Sequence, residues 1–498
     1  MKPGLADIVQ RHLGNGRTGG SEVALRFERE SFSYARLWHG IQSATRRLKH
    51  AGVQPGDRVA YWGLNHPAML IQLLALARLN AILVPVNYRL ASAEIASILG
   101  HASVGLVVVD DAHRAAALAL QAAHGFKILA ARDLMQDGPG EPVNSVGLAQ
   151  SPVLLVYTSG TTGQPKGALH TQAGMLANCE MSVQAQAFTP EDHVLTVLPF
   201  FHVGGLCIQT LPALYAGAQV TLHPRFNAGA WLADVRRLRP TTSLMVPATL
   251  RAVIDHPDFA TADLSSLRQL GAGSSSVPSK LIHAFHQRAV PVCQIYGATE
   301  TGPVSICLSP ADAMAHVGSA GKAATGVEVR LVDEAGFDVE ATQVGEIWLR
   351  APNLMRGYWC DPDNPAFQDG WFRTGDLAFC DHDGFYHVVG RSKDMIISGG
   401  ENIYPADIEN ILAECPWIAE VAVFGLPDEK WGELAVAAVV KTQGSIATAA
   451  DVMALLSGKL ARFKQPRRVV FCESLPKTAL GKVQKQQLAA QAMRRLEV

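Results

Sequence analysis

The sequence predicts an α/β fold: a large N-terminal domain of α/β layers with mixed, largely parallel sheets, followed by a small α+β domain. A length of 498 residues predicts more than one structural unit. Over residues 1–390, short apolar runs alternate with helix-length stretches, as in βαβ units. A polar, glycine-rich segment spans residues 390–405, and the chain after it carries strand and helix patterns of its own. These observations place a second, smaller domain at residues 395–498.

One amphipathic helix is predicted early, because Leu37, Ile41, Ala44 and Leu48 share one helical face and Gly52 is placed to end it. The apolar runs predicted as strands of the large domain are Val59–Trp62, Gly105–Val109, Val153–Val156, Val194–Val197, Val220–Leu222, Ser243–Val246 and Val290–Tyr296. In the small domain we predict helices at Asp407–Cys415 and Ala449–Leu460, and strands at Glu420–Phe424 and Ala435–Lys441.

Composition excludes several classes of protein. Apolar residues make up 48% and charged residues 17% of the chain, which favours a folded protein with a sizeable core. A net charge of −1 argues against binding to nucleic acid or to an anionic membrane. Eight cysteines without a CxxC pair are typical of reduced thiols. The beginning of the chain lacks the apolar stretch of a signal peptide, and Gln72, Arg78 and Asn80 interrupt the most apolar window. We therefore expect a cytoplasmic protein without a transmembrane segment.

The most informative motif is the loop YTSGTTGQPKG at Tyr157–Gly167, which follows the apolar run predicted as a buried strand. Its glycines allow the backbone to turn tightly, so that N–H groups, hydroxyls and Lys166 can converge on an anion. The pattern differs from a Walker A loop, in which Ser or Thr follows the lysine. A polyphosphate-binding loop is therefore favoured over a plain glycine-rich surface loop.

Further polar motifs follow apolar strands, where α/β folds bind ligands. They are Leu198–Gly205 with His202, a predicted tight loop at Gly271–Ser274, Gln294–Glu300, Trp371–Asp376 and a lysine-flanked turn at Pro476–Lys482. Each has an ordinary structural alternative when considered singly: His202 as a packed core histidine, Glu300 as a helix cap, Asp376 as a turn residue and Lys482 as a solvated side chain.

Taken in order, the motifs TSGTTGQPKG, YGATE, RTGD, GRSKDMIISGGENIYP and PKTALGK resemble those of the ANL superfamily of adenylate-forming enzymes. This superfamily includes acyl- and aryl-CoA synthetases, peptide-synthetase adenylation domains and beetle luciferases, and the resemblance covers nearly the whole chain. It implies an N-terminal AMP- and acyl-binding domain at 1–390, a hinge at 391–394, and a mobile C-terminal domain at 395–498. The C-terminal domain would carry the adenylation lysine and the loop of the CoA tunnel.

The resemblance implies that ATP, Mg²⁺ and coenzyme A are used. Catalytic roles fall on Lys482, Thr299, Glu300 and His202, with Glu300 also holding Mg²⁺, and Lys393 is the implied hinge residue. The residues implied to bind ATP or AMP are Thr158, Ser159, Gly160, Thr161, Thr162, Gly163, Lys166, Gly271, Ala272, Gly273, Tyr296, Gly297, Asp376 and Arg391. The residues implied to contact CoA are Ser398, Gly399, Gly400 and Trp431.

By family position, the acyl pocket comprises His202, Val203, Gly204, Leu244, Met245, Gly273, Ile295, Gly297, Gly302 and Pro303. This set is apolar and lacks an arginine that would pair with a second carboxylate. The expected reaction joins a hydrophobic acid to AMP with release of pyrophosphate, after which the CoA thiol forms the thioester. The expected acid is a medium-chain fatty acid or an aryl or arylalkanoic acid of the cinnamate or benzoate type.

Alternatives stay open at this point. The acyl group could pass to a carrier protein instead of CoA, although a histidine, His202, stands where peptide-synthetase domains usually have an aspartate. An oxygen-using luciferase would share the adenylation step, and a nucleotide sensor would have lost Lys482 or Glu300, both of which are present. The expected partners are the small carboxylic acid, ATP and CoA, with a homodimer allowed and no nucleic acid.

Overall fold

The protein is described here by a computed structural model that covers residues 4–14, 20, 22–158, 166–274, 277–361, 364–398, 401–428, 431–478 and 481–496. Up to residue 158 the strands are β1 (Val23–Phe27), β2 (Glu30–Ser33), β3 (Arg58–Trp62), β4 (Ile82–Val86), β5 (Leu106–Val109), β6 (Lys127–Ala130) and β7 (Pro152–Thr158). The helices of this part are α1 (Asp7–Gln10), α2 (Tyr34–His50), α3 (Pro67–Leu79), α4 (Ser92–His101) and α5 (Arg114–His124).

From residue 166 to 398 the strands are β8 (Lys166–Thr171), β9 (His193–Thr196), β10 (Gln219–Leu222), β11 (Thr242–Met245), β12 (Gln269–Gly273), β13 (Val292–Tyr296), β14 (Ile306–Cys307), β15 (Lys322–Ala323), β16 (Glu328–Val332), β17 (Gly345–Arg350), β18 (Gly357–Tyr358), β19 (Phe367–Gln368), β20 (Trp371–Cys380), β21 (Tyr386–Arg391) and β22 (Ile396–Ser398). The helices are α6 (Gln172–Gln186), α7 (Val203–Gly205), α8 (Leu211–Ala216), α9 (Ala228–Leu238), α10 (Pro247–Ile254) and α11 (Ser279–His286).

The C-terminal part adds strands β23 (Glu401–Ile403), β24 (Ile418–Asp428), β25 (Gly432–Lys441) and β26 (Arg468–Cys472). Its helices are α12 (Pro405–Ala413), α13 (Ala449–Leu456) and α14 (Lys485–Leu496). Short 3₁₀ turns occur at Ala131–Met135, Pro257–Ala260, Thr299–Thr301, Ser392–Asp394 and Arg462–Lys464, and one π-helical turn occurs at Leu206–Thr210.

Two large mixed sheets form the N-terminal domain. The first has the order β15-β14-β13-β12-β11-β9-β10-β1-β2, and the second has the order β18-β8-β7-β4-β3-β5-β6. The inner strands of both sheets pair in parallel, as does the edge strand β6 with β5. The other edges, β1-β2 and β13-β14-β15 in the first sheet and β7-β8-β18 in the second, pair in an antiparallel manner. A third sheet, β16-β17-β20-β19 with β21 against β20, is antiparallel throughout. The parallel inner strands bring their carboxyl ends to one edge, where ligands bind in such folds.

The C-terminal domain has its own sheet, in the order β23-β22-β25-β24, with β26 beside β25. The side chains of β25 alternate between two apolar cores, as the period of two in a strand requires. Ala435, Ala437 and Val439 pack with α12 and α13, whereas Val436 and Ala438 pack with α14. The sheet is therefore covered on both faces and forms a core separate from those of the large domain.

The predicted fold class, a large mixed α/β domain with a smaller C-terminal domain, is confirmed. All seven predicted strands of the large domain are present within one or two residues, and the face of α2 that carries Leu37 and Leu48 is buried. Gly52, at φ +96°, lies just beyond the end of that helix. None of the helices in the described ranges combines the length and the apolar character needed to cross a bilayer.

Two local predictions are wrong, and one structural alternative does not hold. Gly271–Gly273 are not a loop but the last residues of β12, buried between neighbouring strands. The alternative of a turn at Asp376 fails, because this residue lies inside the ten-residue strand β20. Helix α13 ends at Leu456 rather than Leu460, since the backbone of Ser457 is extended.

Candidate active site

The predicted phosphate loop connects two antiparallel strands. Thr158 ends β7 and Lys166 begins β8, and the two residues face each other in the ladder. The Thr158 hydroxyl donates to the carbonyl oxygen of Lys166 at 3.5 Å. The residues between them, which include Ser159, Gly160, Thr161, Thr162 and Gly163, lie outside the described ranges. The structure therefore places the two ends of the loop at one edge of the second sheet.

A chain of side chains joins the loop lysine to Glu300. The Lys166 ammonium lies over the Tyr358 ring, 5.1 Å from its centroid. The Tyr358 hydroxyl donates to Glu300 Oε1 at 2.7 Å, and burial raises the pKa of that hydroxyl. Glu300 lies in the 3₁₀ turn Thr299–Thr301, directly after β13, and its carbonyl accepts from the Met355 N–H at 2.8 Å. Tyr358 belongs to no motif, and sequence reasoning missed it.

Asp376 forms hydrogen bonds to two other residues that were predicted to bind the nucleotide. Tyr296, the last residue of β13, donates its hydroxyl to Asp376 Oδ2 at 2.9 Å. Arg391, the last residue of β21, donates from Nε to Asp376 Oδ1 at 2.8 Å, and the nearby carboxylate raises the pKa of the guanidinium. Each Asp376 oxygen keeps a lone pair for another donor. Three residues predicted separately to bind the nucleotide thus lie in direct contact.

Lys482 reaches this group from the C-terminal domain. It lies on a turn in which the Thr478 N–H donates to the Lys482 carbonyl at 2.8 Å. A Cβ on Gly481 would lie 3.7 Å from Ala248 Cβ, so the turn contacts the large domain. Desolvation, followed by the positive charge of Arg391, lowers the pKa of Lys482, while the carboxylate of Asp376 opposes this shift. Lys482 is exposed to solvent, yet it lies close enough to Arg391 and Asp376 for their charges to act on its pKa.

Residues Ser392–Asp394 form a 3₁₀ turn between β21 of the large domain and β22 of the small one. Desolvation and then Arg391 lower the pKa of Lys393, which lies in this turn. Arg391 itself is part of β21, where it pairs with Asp376, so the predicted linker 391–394 is irregular only after Arg391.

Three glycines in β12 and in the turn after Tyr296, namely Gly273, Gly297 and Gly302, allow other backbone segments to approach closely. A Cβ on Gly273 would lie 2.5 Å from the Ile295 carbonyl oxygen, and one on Gly297 would lie 1.7 Å from the Pro303 carbonyl oxygen. Ala272, which precedes Gly273 in β12, is fully buried. At Gly302, where φ is +97°, a Cβ would lie 2.6 Å from the Asn353 carbonyl oxygen. The turn from Gly297 to Pro303 therefore folds back tightly on itself directly after Tyr296.

The residues predicted to form the acyl pocket lie in more than one apolar cluster. A cavity of about 10 Å³, room for a single water molecule, is lined by Thr196, Val197, Leu198, Gly204, Gly205, Gln209 and Leu244. Leu244 packs in one cluster with Ile295, whereas Met245 packs in another, with Trp231. Successive residues of a strand point to opposite faces, so Leu244 and Met245 face different clusters. The acyl pocket stays a prediction.

His202 lies at the beginning of α7, with its ring centroid 4.5 Å from that of Phe201. Its Nε2 is buried without a hydrogen-bond partner in the described part of the chain, and burial lowers its pKa to about 3. His202 is therefore neutral near pH 7. A neutral, desolvated imidazole fits a packing role against Phe201 better than a role as a charged group.

A second buried histidine, His170 in β8, was missed by sequence reasoning. It is fully buried, and both ring nitrogens lack a partner with good hydrogen-bond geometry among the described residues. Burial lowers its pKa to about 4, partly offset by the backbone of Thr299. His170 thus lies beneath the turn that carries Thr299 and Glu300. Its position directly after the apolar residues Ala168 and Leu169 was the sequence feature that could have indicated burial.

Two of the predicted CoA-binding residues lie near each other. Ser398 pairs with Gly432, the residue after Trp431. The Trp431 N–H donates to Asp428 Oδ1 at 3.0 Å, and the Arg467 guanidinium lies 4.0 Å from the centroid of the Trp431 ring. Gly399 and Gly400 lie outside the described residues.

Comparison with known proteins identifies relatives over the whole length. The family model described as AMP-binding enzyme matches residues 15–359, and that of the AMP-binding enzyme C-terminal domain matches residues 407–482. An indoleacetate–CoA ligase of Aromatoleum aromaticum is 44% identical over 97% of this chain and 96% of its own. A feruloyl-CoA synthase of an Amycolatopsis species is 39% identical, covering 93% and 94% of the two chains.

Two further comparisons bear on the acceptor and the fold. A fatty acid–acyl-carrier-protein ligase of Streptomyces coeruleorubidus is 34% identical over 98% of this chain and 96% of its own. The crystal structure of an anthranilate CoA ligase in complex with anthranoyl-AMP superposes with a TM-score of 0.91 at 27% identity, covering 99% and 98% of the two chains.

Proposed function

The chain belongs to the family of AMP-binding enzymes and is an AMP-forming carboxylate–CoA ligase, and from this premise we propose that it activates an aryl or arylalkanoic acid. The contact of Asp376 with both Tyr296 and Arg391, with Lys482 close by, is the observation that carries the proposed chemistry. The predicted pocket residues Val203, Leu244 and Ile295 are apolar and buried, which suits a hydrophobic acid. Two relatives are named for ring-bearing acids, which supports the same class.

In the first half-reaction, a carboxylate oxygen of the acid attacks the α-phosphorus of ATP, and pyrophosphate leaves. Both reactants are anionic, so the reaction needs positive charge where negative charge gathers. Lys482 and Arg391 would supply that charge from the two domains. The product is the acyl adenylate, a far better electrophile than the free carboxylate.

We assign the nucleotide to the group around Asp376. The free lone pairs of its carboxylate would accept hydrogen bonds from the ribose hydroxyls, while Tyr296 and Arg391 hold the carboxylate in place. The adenine would lie against Tyr296 and the strand Gly271–Gly273. The loop from Thr158 to Lys166 would bind the β- and γ-phosphates, and Thr299 would contact the α-phosphate.

Magnesium fits the residues that are present. The described ranges contain no cluster of three or more His, Cys, Asp or Glu side chains, as a dedicated protein cage would need. Mg²⁺ is commonly bound by one or two carboxylates together with substrate phosphates, and Glu300 beside the phosphate loop offers such a carboxylate. When bound, the ion would neutralise part of the negative charge of the phosphates. Tyr358 would orient the Glu300 carboxylate for this purpose.

In the second half-reaction, the CoA thiol attacks the acyl carbon, and AMP leaves with the electron pair of the broken acyl–phosphate bond. We propose residues 391–394 as the hinge and Lys393 as the residue about which the C-terminal domain turns between the two steps. Ser398 and Trp431 would then lie along the path of the pantetheine chain. One site would thus serve two reactions by a conformational change.

The test is pyrophosphate release with ATP, Mg²⁺ and CoA against fatty acids of increasing chain length, benzoates, cinnamates and arylacetates. We expect a maximum among the ring-bearing acids, with a stoichiometric acyl-CoA product. A maximum among the fatty acids would overturn the proposed substrate class. Pyrophosphate release without any acyl-CoA would instead indicate a carrier protein as the acceptor.

A further inference from the structure

The turn that carries Thr299 and Glu300 is held at its far end by two buried asparagines. Val304, at that end of the turn, is fully buried. Its N–H donates to Asn178 Oδ1 at 3.1 Å, and its carbonyl accepts from Asn353 Nδ2 at 2.8 Å. Asn178 is 1% exposed and Asn353 is 0% exposed. Both backbone polar groups of Val304 are therefore bonded by side chains from distant parts of the chain.

The neighbouring groups determine the orientation of both amides. Asn178 lies in α6, and its Nδ2 donates at 2.8 Å to the carbonyl of Cys207, in the π-helical turn Leu206–Thr210. A backbone carbonyl can only accept and a backbone N–H can only donate, so a flipped Asn178 would lose both bonds. Asn353 Nδ2 faces two acceptors, the Val304 carbonyl and Asn178 Oδ1 at 3.3 Å. The two amides therefore have a single satisfactory arrangement.

Asn353 begins a short segment, residues 353–358, that also bonds Glu300 directly. A Cβ on Gly302 would lie 2.9 Å from Asn353 Cβ, so Asn353 packs directly against the turn. Two residues later, the Met355 N–H donates to the Glu300 carbonyl at 2.8 Å. At the end of the segment, the Tyr358 hydroxyl donates to Glu300 Oε1 at 2.7 Å. The main chain and the carboxylate of Glu300 are thus both bonded from the segment that Asn353 begins.

The Asn353 amide leaves one of its own groups without a partner. Its Oδ1 is buried and has no hydrogen-bond partner among the described residues. A buried acceptor that stays unpaired is costly, so packing alone does not explain an asparagine at this position. The Nδ2 donor, which binds the Val304 carbonyl, does explain it.

We propose that Asn353 and Asn178 are positioning residues for the adenylation step, which hold Glu300 where its carboxylate would bind Mg²⁺ together with the phosphates of ATP. They act through Val304 and the turn rather than by contact with a substrate. The inference rests on the proposed function and adds two residues that no sequence motif indicated. Residues that orient the ligands of a metal commonly change metal affinity or activity by about 10–100-fold.

The first test uses the wild-type protein and does not depend on whether a variant folds. Hydrogen exchange followed by mass spectrometry should find the peptide that spans residues 297–305 protected, because the Val304 N–H is bonded to a buried acceptor. Complete exchange of this peptide at the shortest labelling time would overturn the inference, since the asparagines would not be holding the turn.

The second test measures binding rather than turnover. The ligand is α,β-methylene-ATP, in which a methylene group replaces the oxygen that would leave with pyrophosphate. Calorimetry gives its Kd with Mg²⁺ and with EDTA, and the ratio of the two values is the magnesium enhancement. Glu300→Gln should lose most of this enhancement and so sets the scale. We expect Asn353→Ala to reduce the enhancement by about tenfold, with little change in the Kd measured in EDTA.

Asn178→Ala should have the same effect from the other side of Val304, and Ser182→Ala is its matched control. Ser182 lies one turn after Asn178 on the same face of α6 and is fully buried. Its hydroxyl donates to the Ile208 carbonyl at 2.5 Å, in the same π-helical turn, and accepts from Gln186 Nε2 at 2.6 Å. Ser182→Ala therefore removes a comparable buried hydrogen bond without loss of a bond to Val304, and it should keep the wild-type enhancement.

The magnesium enhancement separates positioning from a general loss of stability. A purely structural defect would lower the fraction of protein that binds and leave the enhancement unchanged. Wild-type enhancement in folded Asn353→Ala and Asn178→Ala would therefore overturn the inference, as would an equal reduction in Ser182→Ala. If Glu300→Gln keeps the full enhancement, the magnesium site assigned under the proposed function is wrong, and the inference is overturned with it.

Discussion

At the scale of single residues, burial determines which groups carry charge. His170 and His202 both lie in surroundings that favour the neutral imidazole, with pKa values lowered to about 4 and about 3. Asp376 shows the opposite arrangement, because a guanidinium and a phenol hydroxyl stabilise its carboxylate. The chemistry of the site therefore depends on neighbours that are distant in sequence.

His170 should make the protein sensitive to acid. Unfolded histidine takes up a proton near pH 6.5, but His170 does so only near pH 4 when folded. The unfolded state thus binds more protons between those values, so stability rises with pH through this window and falls on acidification, by about 3 kcal/mol at its lower end. We expect His170→Leu to reduce the fall in thermal midpoint between pH 7 and pH 4.5.

The matched control for this measurement is His124→Gln, since His124 is exposed at the end of α5. This variant should show the same pH dependence as the wild type. If His170→Leu also keeps the wild-type dependence, another group accounts for the acid sensitivity.

At the scale of elements, glycines set the spacing between strands. In β12, Gly273 carries no side chain where the Ile295 carbonyl of β13 lies, and Gly271 carries none where the Leu244 side chain of β11 lies. Beyond β13, the turn from Gly297 to Gly302 places Glu300 beside Tyr358. The position of the candidate catalytic groups is thus a consequence of backbone packing.

Gly297→Ala should strongly destabilise this region. The new Cβ would lie 1.7 Å from the Pro303 carbonyl oxygen, a backbone atom that cannot move without opening the turn. We expect a loss of about 3 kcal/mol or more, seen as a lower thermal midpoint. Gly204→Ala is the control, since its Cβ would meet only Ser274 Oγ at 3.9 Å, and its midpoint should stay near that of the wild type. Similar midpoints for the two variants would contradict this account.

At the scale of the whole molecule, the site is shared between two domains. The large domain contributes Tyr296, Asp376 and Arg391, and the small domain contributes Lys482 on a turn that contacts Ala248. Each domain has its own core. The proposed role of Lys482 therefore depends on the relative position of the two domains.

Lys482→Ala should separate the two half-reactions. We expect acyl-adenylate formation to fall by about 10²–10³, because a cation near the transferring phosphoryl group is lost. Thioester formation from supplied acyl-AMP should persist. Lys477→Ala is the control, since Lys477 pairs with Glu420 at 2.7 Å within the small domain and should leave adenylation unchanged. Equal loss of both half-reactions in Lys482→Ala would contradict the assigned role.

Much of the fold was predictable, because apolar runs of strand length and amphipathic spacing are local signals. The strands at Val59–Trp62 and Val194–Val197 followed from such runs, and they are present in the two large sheets. Gly271–Gly273 misled the prediction, because glycine usually indicates a turn but here permits close strand packing. Family position does not state which face of a strand a residue occupies, and only the structure shows that Leu244 and Met245 pack in different clusters.

The motifs of the sequence by themselves determined the family, the reaction class and most residues of the candidate nucleotide site, since the residues that bind a common nucleotide stand in recognisable local patterns. Only the tertiary structure revealed the hydrogen bond of Tyr358 to Glu300, the position of His170 beneath Thr299, and a buried Gln209 Oε1 that has no hydrogen-bond partner within the described residues. These depend on contacts between distant segments and on which hydrogen bonds remain unmade. The sequence does not show whether the polar side chain of a tyrosine, histidine or glutamine makes all of its hydrogen bonds. That depends on how deeply the side chain is buried and on which groups surround it.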